Sequence, residues 1–525
     1  MKEEKDIVIT EKRTYDHILL TGATGFLGAY LLRDLLQTTK AKITLPIRAG
    51  SGEQAEKKLE EKISYYFGKQ LLHENRGRIS VLRSDLSEDA LGLGKKEYDK
   101  LSGTVDCIIH SAALVKHYGP YEDFHSSNVR SVENLIRFAM AGKPKVFHHI
   151  STLSVGMGNV PGRKVNLFSE YDTDIGQQSE MYYLRTKLEA EKRLADARKE
   201  GLCANVYRIG NITFDSKTGR CQENIGDNAF FHVVRSFVNL GCVPDRMDEA
   251  EFSFVDRVSR AILSLYDRPS LFNETFHIRN SGTVRLSEVL TSPALGLRIR
   301  KVAFRDFIGL MIGESGTEGF REHIEAILLH FGWLERSGEC DEGTLFMPVS
   351  GRTERILRKT GFRWRPLHPE RMESMIVASL KERAGILKQV PLFSPLPEEE
   401  LLRLAKAAVR ENYRDDTGII WEGEPGNRFY VIEKGNVEMS CHAVSGWVGT
   451  VGVLGKGEFF AAAQIYRPEA SPFTATAILG DVMVYSFTLE DIRRMIEEHP
   501  RLGISFVKFL ASRVDQLARL FVNIR

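Results

Sequence analysis

Short, unbroken apolar runs alternate with charged segments of helical period through the first part of the chain. Ile18-Leu19-Leu20, Lys42 to Arg48, Ile79 to Leu86, Val105 to Ala113 and Lys145 to Ile150 read as strands. Runs that are apolar on both faces belong in a parallel sheet covered by helices. Between them the leucines of Ala29 to Leu36 recur at helical spacing, a charged helix runs from Gly50 to Gly77, and another opens at Asn128-Val129. This alternation predicts a doubly wound α/β fold. Two apolar stripes at helical spacing come later: Phe304, Phe307, Ile308, Leu310 and Met311, then Ile324, Ile327, Leu328, Phe331, Trp333 and Leu334. They predict a helical lobe over the substrate, with core packing as the role of most of these side chains.

The period changes after Gly385-Ile386-Leu387-Lys388-Gln389-Val390-Pro391, where Pro395 and Pro397 mark a boundary. A helix opens at Leu396-Pro397-Glu398. From residue 417 short β-like runs alternate with glycine turns at Gly423, Gly426, Gly435, Gly446, Gly455 and Gly457, and helices return over 489–525. The expected organisation is therefore two domains. Residues 1–384 form the α/β domain, with a substrate lobe mainly at 211–250 and 285–380; residues 385–525 form a small β-barrel or jelly roll with flanking helices.

Composition changes this picture little. At 525 residues, 42% hydrophobic and 27% charged, the chain has material for more than one buried core. Its 72 basic and 70 acidic side chains leave a formal charge of +2, which argues against a nucleic-acid partner or an anionic membrane surface. The cysteines at 107, 203, 221, 242, 340 and 441 are scattered, so neither a disulfide framework nor a zinc site is indicated. Met1-Lys2-Glu3-Glu4-Lys5-Asp6 lacks the apolar stretch of a signal peptide, and no window reaches the length of a membrane span. A soluble, cytoplasmic protein without stable membrane insertion is expected.

Candidate chemistry begins at Thr21-Gly22-Ala23-Thr24-Gly25-Phe26-Leu27-Gly28, between the first strand and the first helix. Gly22 permits the tight turn, Gly25 removes the Cβ that would block a pyrophosphate, and Gly28 lets the helix approach the sheet. The helix N-terminus offers its N–H groups to the anion. Arg48 ends the second strand, where an acid would select NAD and an arginine can pair with the 2′-phosphate of NADP. Asp85 and Leu86 end the third strand against the adenine, although Asp85 serves equally as a helix cap. Ser111, Ala112 and Ala113 end the fourth with small side chains that let a cofactor lie against the backbone. Ser151-Thr152 places hydroxyls at the carboxyl end of the fifth strand, where open α/β sheets put their chemistry. Tyr183 and Lys187 are i and i+4 in a helix continuing through Leu188-Glu189-Ala190-Glu191, so they share one face. An ammonium beside a phenol favours phenolate, which would make Tyr183 a usable proton donor and acceptor near neutral pH.

In this order of motifs the chain resembles the extended short-chain dehydrogenase/reductases. More narrowly it is similar to the thioester reductase domains that end nonribosomal peptide and polyketide assembly lines, and to carboxylic acid and fatty acyl reductases. Thr21 to Gly28, Ile109-His110-Ser111-Ala112-Ala113, Ser151-Thr152, Tyr183 with Lys187, and Val206-Tyr207-Arg208-Ile209-Gly210-Asn211-Ile212 carry the resemblance. Phe214 to Gly219, Gly241-Cys242-Val243-Pro244-Asp245 and Phe254-Val255-Asp256 sharpen it, over about residues 15–375. It implies a Rossmann sheet, a Thr152/Tyr183/Lys187 triad and NADPH as cofactor. The implied activity is reduction of a carrier-bound or coenzyme A thioester to an aldehyde or alcohol in specialised biosynthesis. No adenylation or carrier domain precedes the reductase, so the carrier is expected in trans. An extended dehydrogenase or epimerase acting on a small alcohol, sugar nucleotide or sterol is the alternative within the superfamily.

The C-terminal third resembles cyclic nucleotide-binding domains, through Val390-Pro391-Leu392-Phe393-Ser394 and Glu422 to Gly435. Its ligand cassette departs from that family. Ala461-Ala462-Ala463 follows Gly457-Glu458-Phe459-Phe460 where a glutamate would meet the ribose, and Pro472-Phe473-Thr474 stands where an arginine would pair the cyclic phosphate. An anion without its arginine is poorly held, with only Arg467 as a nearby substitute. The domain is therefore expected to have lost nucleotide binding and to dock a carrier protein, a peptide substrate or a second subunit. A nucleotide-sensing regulatory protein remains the alternative of a different class.

Overall fold

A computed structural model describes residues 9, 11–115, 119–225, 228–245, 248–314, 345–424, 426, 428–442, 448–461, 470–509 and 511. The second predicted apolar stripe, from Ile324 to Leu334, lies outside the described residues, as do Ala462, Ala463 and Arg467. The chain divides into two compact units. One comprises Met1–Phe230, Glu249–Val284 and Glu322–Arg371; the other comprises Phe231–Asp248, Arg285–Arg321 and Met372–Arg525.

The first unit is built on seven parallel strands: β1 (His17–Thr21), β2 (Lys42–Ile47), β3 (Ile79–Arg83), β4 (Cys107–His110), β5 (Val146–Thr152), β6 (Cys203–Ile209) and β7 (Thr275–Ile278). Their order is β3-β2-β1-β4-β5-β6-β7. The winding reverses between β1 and β4, which opens a crevice at the carboxyl ends of the strands. Alternation along β1 explains why its apolar run is unbroken: Ile18 and Leu20 enter the core on one face of the sheet and Leu19 the core on the other. Two helices carry residues of the candidate motifs, α1 (Phe26–Thr38) and α2 (Tyr182–Lys199).

Two predicted helices differ in detail. The segment from Gly50 to Gly77 breaks at Gly68, whose φ of 80° ends Gly52–Phe67 before the short helix Gln70–Asn75. The helix expected to open at Asn128 begins at Tyr121, and Ser126–Arg130 forms a π-helical turn within it. Asn128 sits in that turn because its side chain is tied to the backbone of Leu114, in the loop after β4.

In the second unit an antiparallel sheet is formed by β8 (Val409–Tyr413), β9 (Gly418–Ile420), β10 (Arg428–His442), β11 (Val448–Leu454), β12 (Phe459–Phe460) and β13 (Thr474–Thr488). The path is β8-β13-β10-β11, with β9 on β13 and β12 on β10, around a core that includes Ile432, Val437, Ala475 and Val484. Helices α3 (Glu373–Gln389), α4 (Glu398–Ala407) and α5 (Leu489–Glu498) flank it. The same unit holds most of the helix Ala229–Leu240, whose Phe237 meets Phe307 edge-on with centroids 5.2 Å apart. Buried Arg383 of α3 donates to Val238 O at 2.6 Å, Ala405 O at 3.0 Å and Ala408 O at 3.2 Å. One guanidinium thus satisfies carbonyls at the ends of two helices, which lack partners inside their own helix. No helix among the described residues is long and apolar enough to cross a membrane.

Candidate active site

The β1–α1 turn has the shape that a pyrophosphate needs. Gly22 has φ 74°, and a Cβ there would lie 2.6 Å from Ala112 N. A Cβ on Gly28 would lie 1.9 Å from Gly22 O, so the helix can begin this close to the strand only as glycine. Gly25 is the N-cap of α1 and no side chain caps the helix, which leaves its first N–H groups facing the turn. Phe26 and Leu27 contribute backbone alone. The Phe26 ring is 5.6 Å from both Tyr30 and Tyr66, and Leu27 is in the core. Thr24 is half-buried beside them. These residues fit a dinucleotide. We expect Gly28→Ala to weaken cofactor binding at least tenfold and to lower stability by about 1–3 kcal/mol, the usual penalty of overpacking against fixed backbone. Cofactor titration and a denaturant melt read the two effects.

Thr21 anchors the neighbouring strand end. Its hydroxyl accepts from Ala112 N at 3.2 Å and meets His110 Nδ1 at 2.8 Å. Burial, with the Lys187 charge adding to it, pushes His110 down to about 3 and keeps it neutral. Ser111, Ala112 and Ala113 are half-buried along this edge. Arg48 is exposed one residue past β2 with no ion-pair partner among the described residues. Asp85 lies beyond β3 in a turn, where its Oδ1 accepts from Ser87 N at 3.0 Å and Ser87 Oγ at 2.6 Å. Burial works to raise its carboxyl, but those hydrogen bonds and the Arg48 charge bring it below its ordinary value. Leu86 O accepts from Asn134 Nδ2 at 2.8 Å, which fixes the turn.

Thr152 closes β5, and Tyr183 stands in the first turn of α2, its phenol hydrogen-bonded to the Thr152 side chain. Lys187, one turn further on, is buried and donates from Nζ to Ile150 O at 2.8 Å. The sequence led us to expect a phenol lowered by the ammonium; the structure has it raised. Burial pushes Tyr183 up to about 12, with Thr152 opposing, and pushes Lys187 down to about 8, with Glu191 opposing. The physical reason is that Lys187 is directed to the β5 backbone, so desolvation outweighs attraction at both groups.

Several residues of this region escaped the motif reading. Asn128 Oδ1 accepts from Leu114 N at 2.8 Å, while its Nδ2 donates to Leu114 O at 3.2 Å and Thr186 Oγ1 at 3.1 Å, joining the β4 loop to α2. Glu191 accepts from Ser151 Oγ at 2.5 Å and from Arg208 Nη2 at 2.7 Å, and Arg208 is 0% exposed. Arg208 Nη1 also meets His277 Nε2 at 3.2 Å. The available signals were Glu191 at i+4 from Lys187, and an arginine inside an otherwise apolar strand, which must find a counter-charge.

Comparison with known proteins matches two families at different places along the chain. Residues 20–262 match the NAD-binding family described as male sterility protein. The amino-terminal domain is similar to this family. Residues 410–499 match the cyclic nucleotide-binding domain family. Beyond the male sterility-type domain itself, the chain is 32% identical over 346 residues to a linear gramicidin synthase of Brevibacillus parabrevis, which covers 65% of this chain and 6% of that protein. It is 27% identical over 298 residues to the L-2-aminoadipate reductase of Schizosaccharomyces pombe, covering 54% of this chain and 20% of that one. Among solved structures, the terminal R domain of the myxalamid PKS-NRPS pathway superposes with a TM-score of 0.60 at 27% identity, over 70% of this chain and 91% of that one. A thiolation-reductase di-domain from an archaeal nonribosomal peptide synthetase gives 0.60 at 25% identity, over 71% and 77%. The chain thus spans a small fraction of the length of these curated relatives. The male sterility-type domain and its R-domain likeness make the β1–α1 cradle one for a nicotinamide cofactor.

Proposed function

We propose that this protein is an NADPH-dependent reductase of an acyl or peptidyl thioester, carried on a carrier protein or coenzyme A, giving an aldehyde or alcohol. The observation that supports the reading is Tyr183 beside Thr152 at the carboxyl end of β5, with Lys187 one turn further along α2 and bound to Ile150 O, in a domain similar to terminal R domains. When bound, NADPH supplies the hydride. Thr21, Gly22, Thr24, Gly25, Phe26, Leu27 and Gly28 would hold its phosphates, Asp85 and Leu86 its adenine side, and Ser111, Ala112 and Ala113 its length. The hydroxyls of Thr152 and Tyr183 hold the thioester oxygen. Tyr183 gives that oxygen its proton and takes it back when the carbonyl re-forms, and the Lys187 ammonium steadies the transient phenolate.

Preference for NADPH is inferred from Arg48, exposed one residue past β2, the strand end that would meet the adenosine ribose. Arg48→Ala is expected to weaken NADPH by ~1.5–3 kcal/mol while NADH changes little, as for a lost charge-assisted contact; equal loss for both would refute the role. For the C-terminal domain we propose docking of a carrier or partner protein instead of nucleotide binding. Phe473 supports this, because at the position of the phosphate-pairing arginine it is half-buried against the domain core.

The deciding experiment offers acyl thioesters on phosphopantetheine, coenzyme A and a carrier protein to the full chain with NADPH, and traps the products. Aldehyde or alcohol is expected, and the preferred thiol handle names the partner. Silence on all three, with NADPH bound, would overturn the reading in favour of a dehydrogenase.

A further inference from the structure

A second polar group stands at the level of the triad, on the same face of the sheet. In parallel strands, side chains at i and i+2 share a face, and the step between them is about 6.6 Å. Ser151, Arg208 and His277 are register partners on β5, β6 and β7; Ser151 and Arg208 meet Glu191 of α2 on that face, and His277 meets Arg208. Two residues on, just past the ends of β6 and β7, Gly210 and Arg279 continue the register, with Gly210 N donating to Ile278 O at 3.1 Å. Ile209, one residue before Gly210, is the register partner of Thr152 on β5, so this rung adjoins the strand end that carries Thr152.

That rung carries a carboxyl. A Cβ on Gly210 would lie 1.9 Å from Glu251 Oε1 and 3.0 Å from Arg279 Cβ, so the glycine makes the space that Glu251 fills. Arg279 Nε is 3.2 Å from Glu251 Oε2, and its Nη1 donates to Pro348 O at 3.3 Å. Ser253 Oγ accepts from Asn280 N at 3.0 Å and is thereby turned to donate to Glu251 Oε1 at 2.5 Å. Asn211 backbone completes the set. Among the described residues, the groups facing this carboxyl are Arg279, Ser253 and Asn211. Burial drives the carboxyl up to about 7, against the opposing pull of Arg279, Ser253 and Asn211. Proton storage near neutrality in a cleft is the property of a catalytic acid.

We propose that Glu251 is the acid that protonates the departing sulfur. This rests on the reading of the protein as a thioester reductase. Once the thioester carbon is reduced to a tetrahedral hemithioacetal, the C–S bond breaks and its electron pair goes to sulfur. Sulfur takes the Glu251 proton and leaves as the thiol. The hemithioacetal hydroxyl returns its proton to Tyr183 as C=O forms, and the Glu251 carboxylate regains a proton from water. One hydride and one proton are consumed for each aldehyde and thiol produced.

The test compares two esters of one acyl group, an alkyl thioester and a thiophenyl ester whose sulfur leaves as a stable thiolate without help. With the alkyl ester, kcat of the wild type should fall as pH rises through about 7, and Glu251→Gln should lower it about 10²-fold and flatten the profile. With the thiophenyl ester the loss should shrink to about fivefold or less. An independent readout needs no turnover: isotope-edited infrared titration of the full chain should show a carboxyl titrating near pH 7 that is absent from Glu251→Gln. Equal losses on both esters, an unchanged pH profile, or no such carboxyl would overturn the proposal while leaving the thioester reading intact. A wild type that binds NADPH and reduces neither ester would overturn both.

Discussion

Tyr183→Phe should lower turnover by about 10²–10⁴-fold, the usual worth of a positioned acid–base group, with NADPH binding retained. Phenylalanine keeps the ring volume at the start of α2 and removes only the hydroxyl that meets Thr152. The substrate oxygen then loses both a hydrogen-bond donor and its proton source. Single-turnover rates beside a cofactor titration separate the two effects; full activity in this variant would sink the triad. The pH dependence has a definite sign. Lys187 must stay charged to steady a phenolate, and burial holds it at about 8, so the Tyr183-dependent rate should decline as pH rises past 8. Below that value it should level off on this account, leaving any fall near pH 7 to Glu251.

The second large effect is structural. Glu191→Gln removes the counter-charge of Arg208, which has no exposed surface, and should cost about 3–5 kcal/mol of stability. Replacing both, as Glu191→Leu with Arg208→Met, should recover most of that loss, because no unpaired charge is then left in the interior. Denaturant melts of the single and double variants give the coupling. The single variant also changes chemistry: Glu191 holds the Lys187 ammonium up, so its removal should move the alkaline decline to lower pH. A Glu191→Gln protein as stable as the wild type would show that Arg208 has another source of compensation.

How far the sequence foretold this molecule depends on what kind of signal each residue leaves. Strands β1, β2, β4 and β5 were readable because a sheet buried on both faces needs mostly apolar runs, whereas β3, at the sheet edge, has no buried residue and showed only its partly covered Ile79, Val81 and Leu82. The β1–α1 turn was readable because only glycine fits 1.9 Å from a carbonyl oxygen. Thr152, Tyr183 and Lys187 were legible as candidates through spacing and order. Their ionisation was not, since it follows from the Lys187 ammonium facing Ile150 O, a matter of side-chain direction. Glu251 and Arg279 left no local pattern at all: residues 28 apart in sequence meet where their segments are joined, Asn280 N donating to Ser253 Oγ. Likewise the π-helical turn at Asn128 is imposed by a loop that ends 14 residues earlier, and no helical period announces it.

The three carbonyls held by Arg383 set a timetable for synthesis. Val238 and Arg383 are 145 residues apart, so at roughly 5–20 residues per second the helix Ala229–Leu240 leaves the ribosome about 7–29 s before the guanidinium that completes its end. The amino-terminal sheet closes with β7, well before that. A nascent chain will therefore carry a finished β1–α1 cradle together with a helix Ala229–Leu240 that still exposes apolar surface, and that interval is where a chaperone would find its purchase.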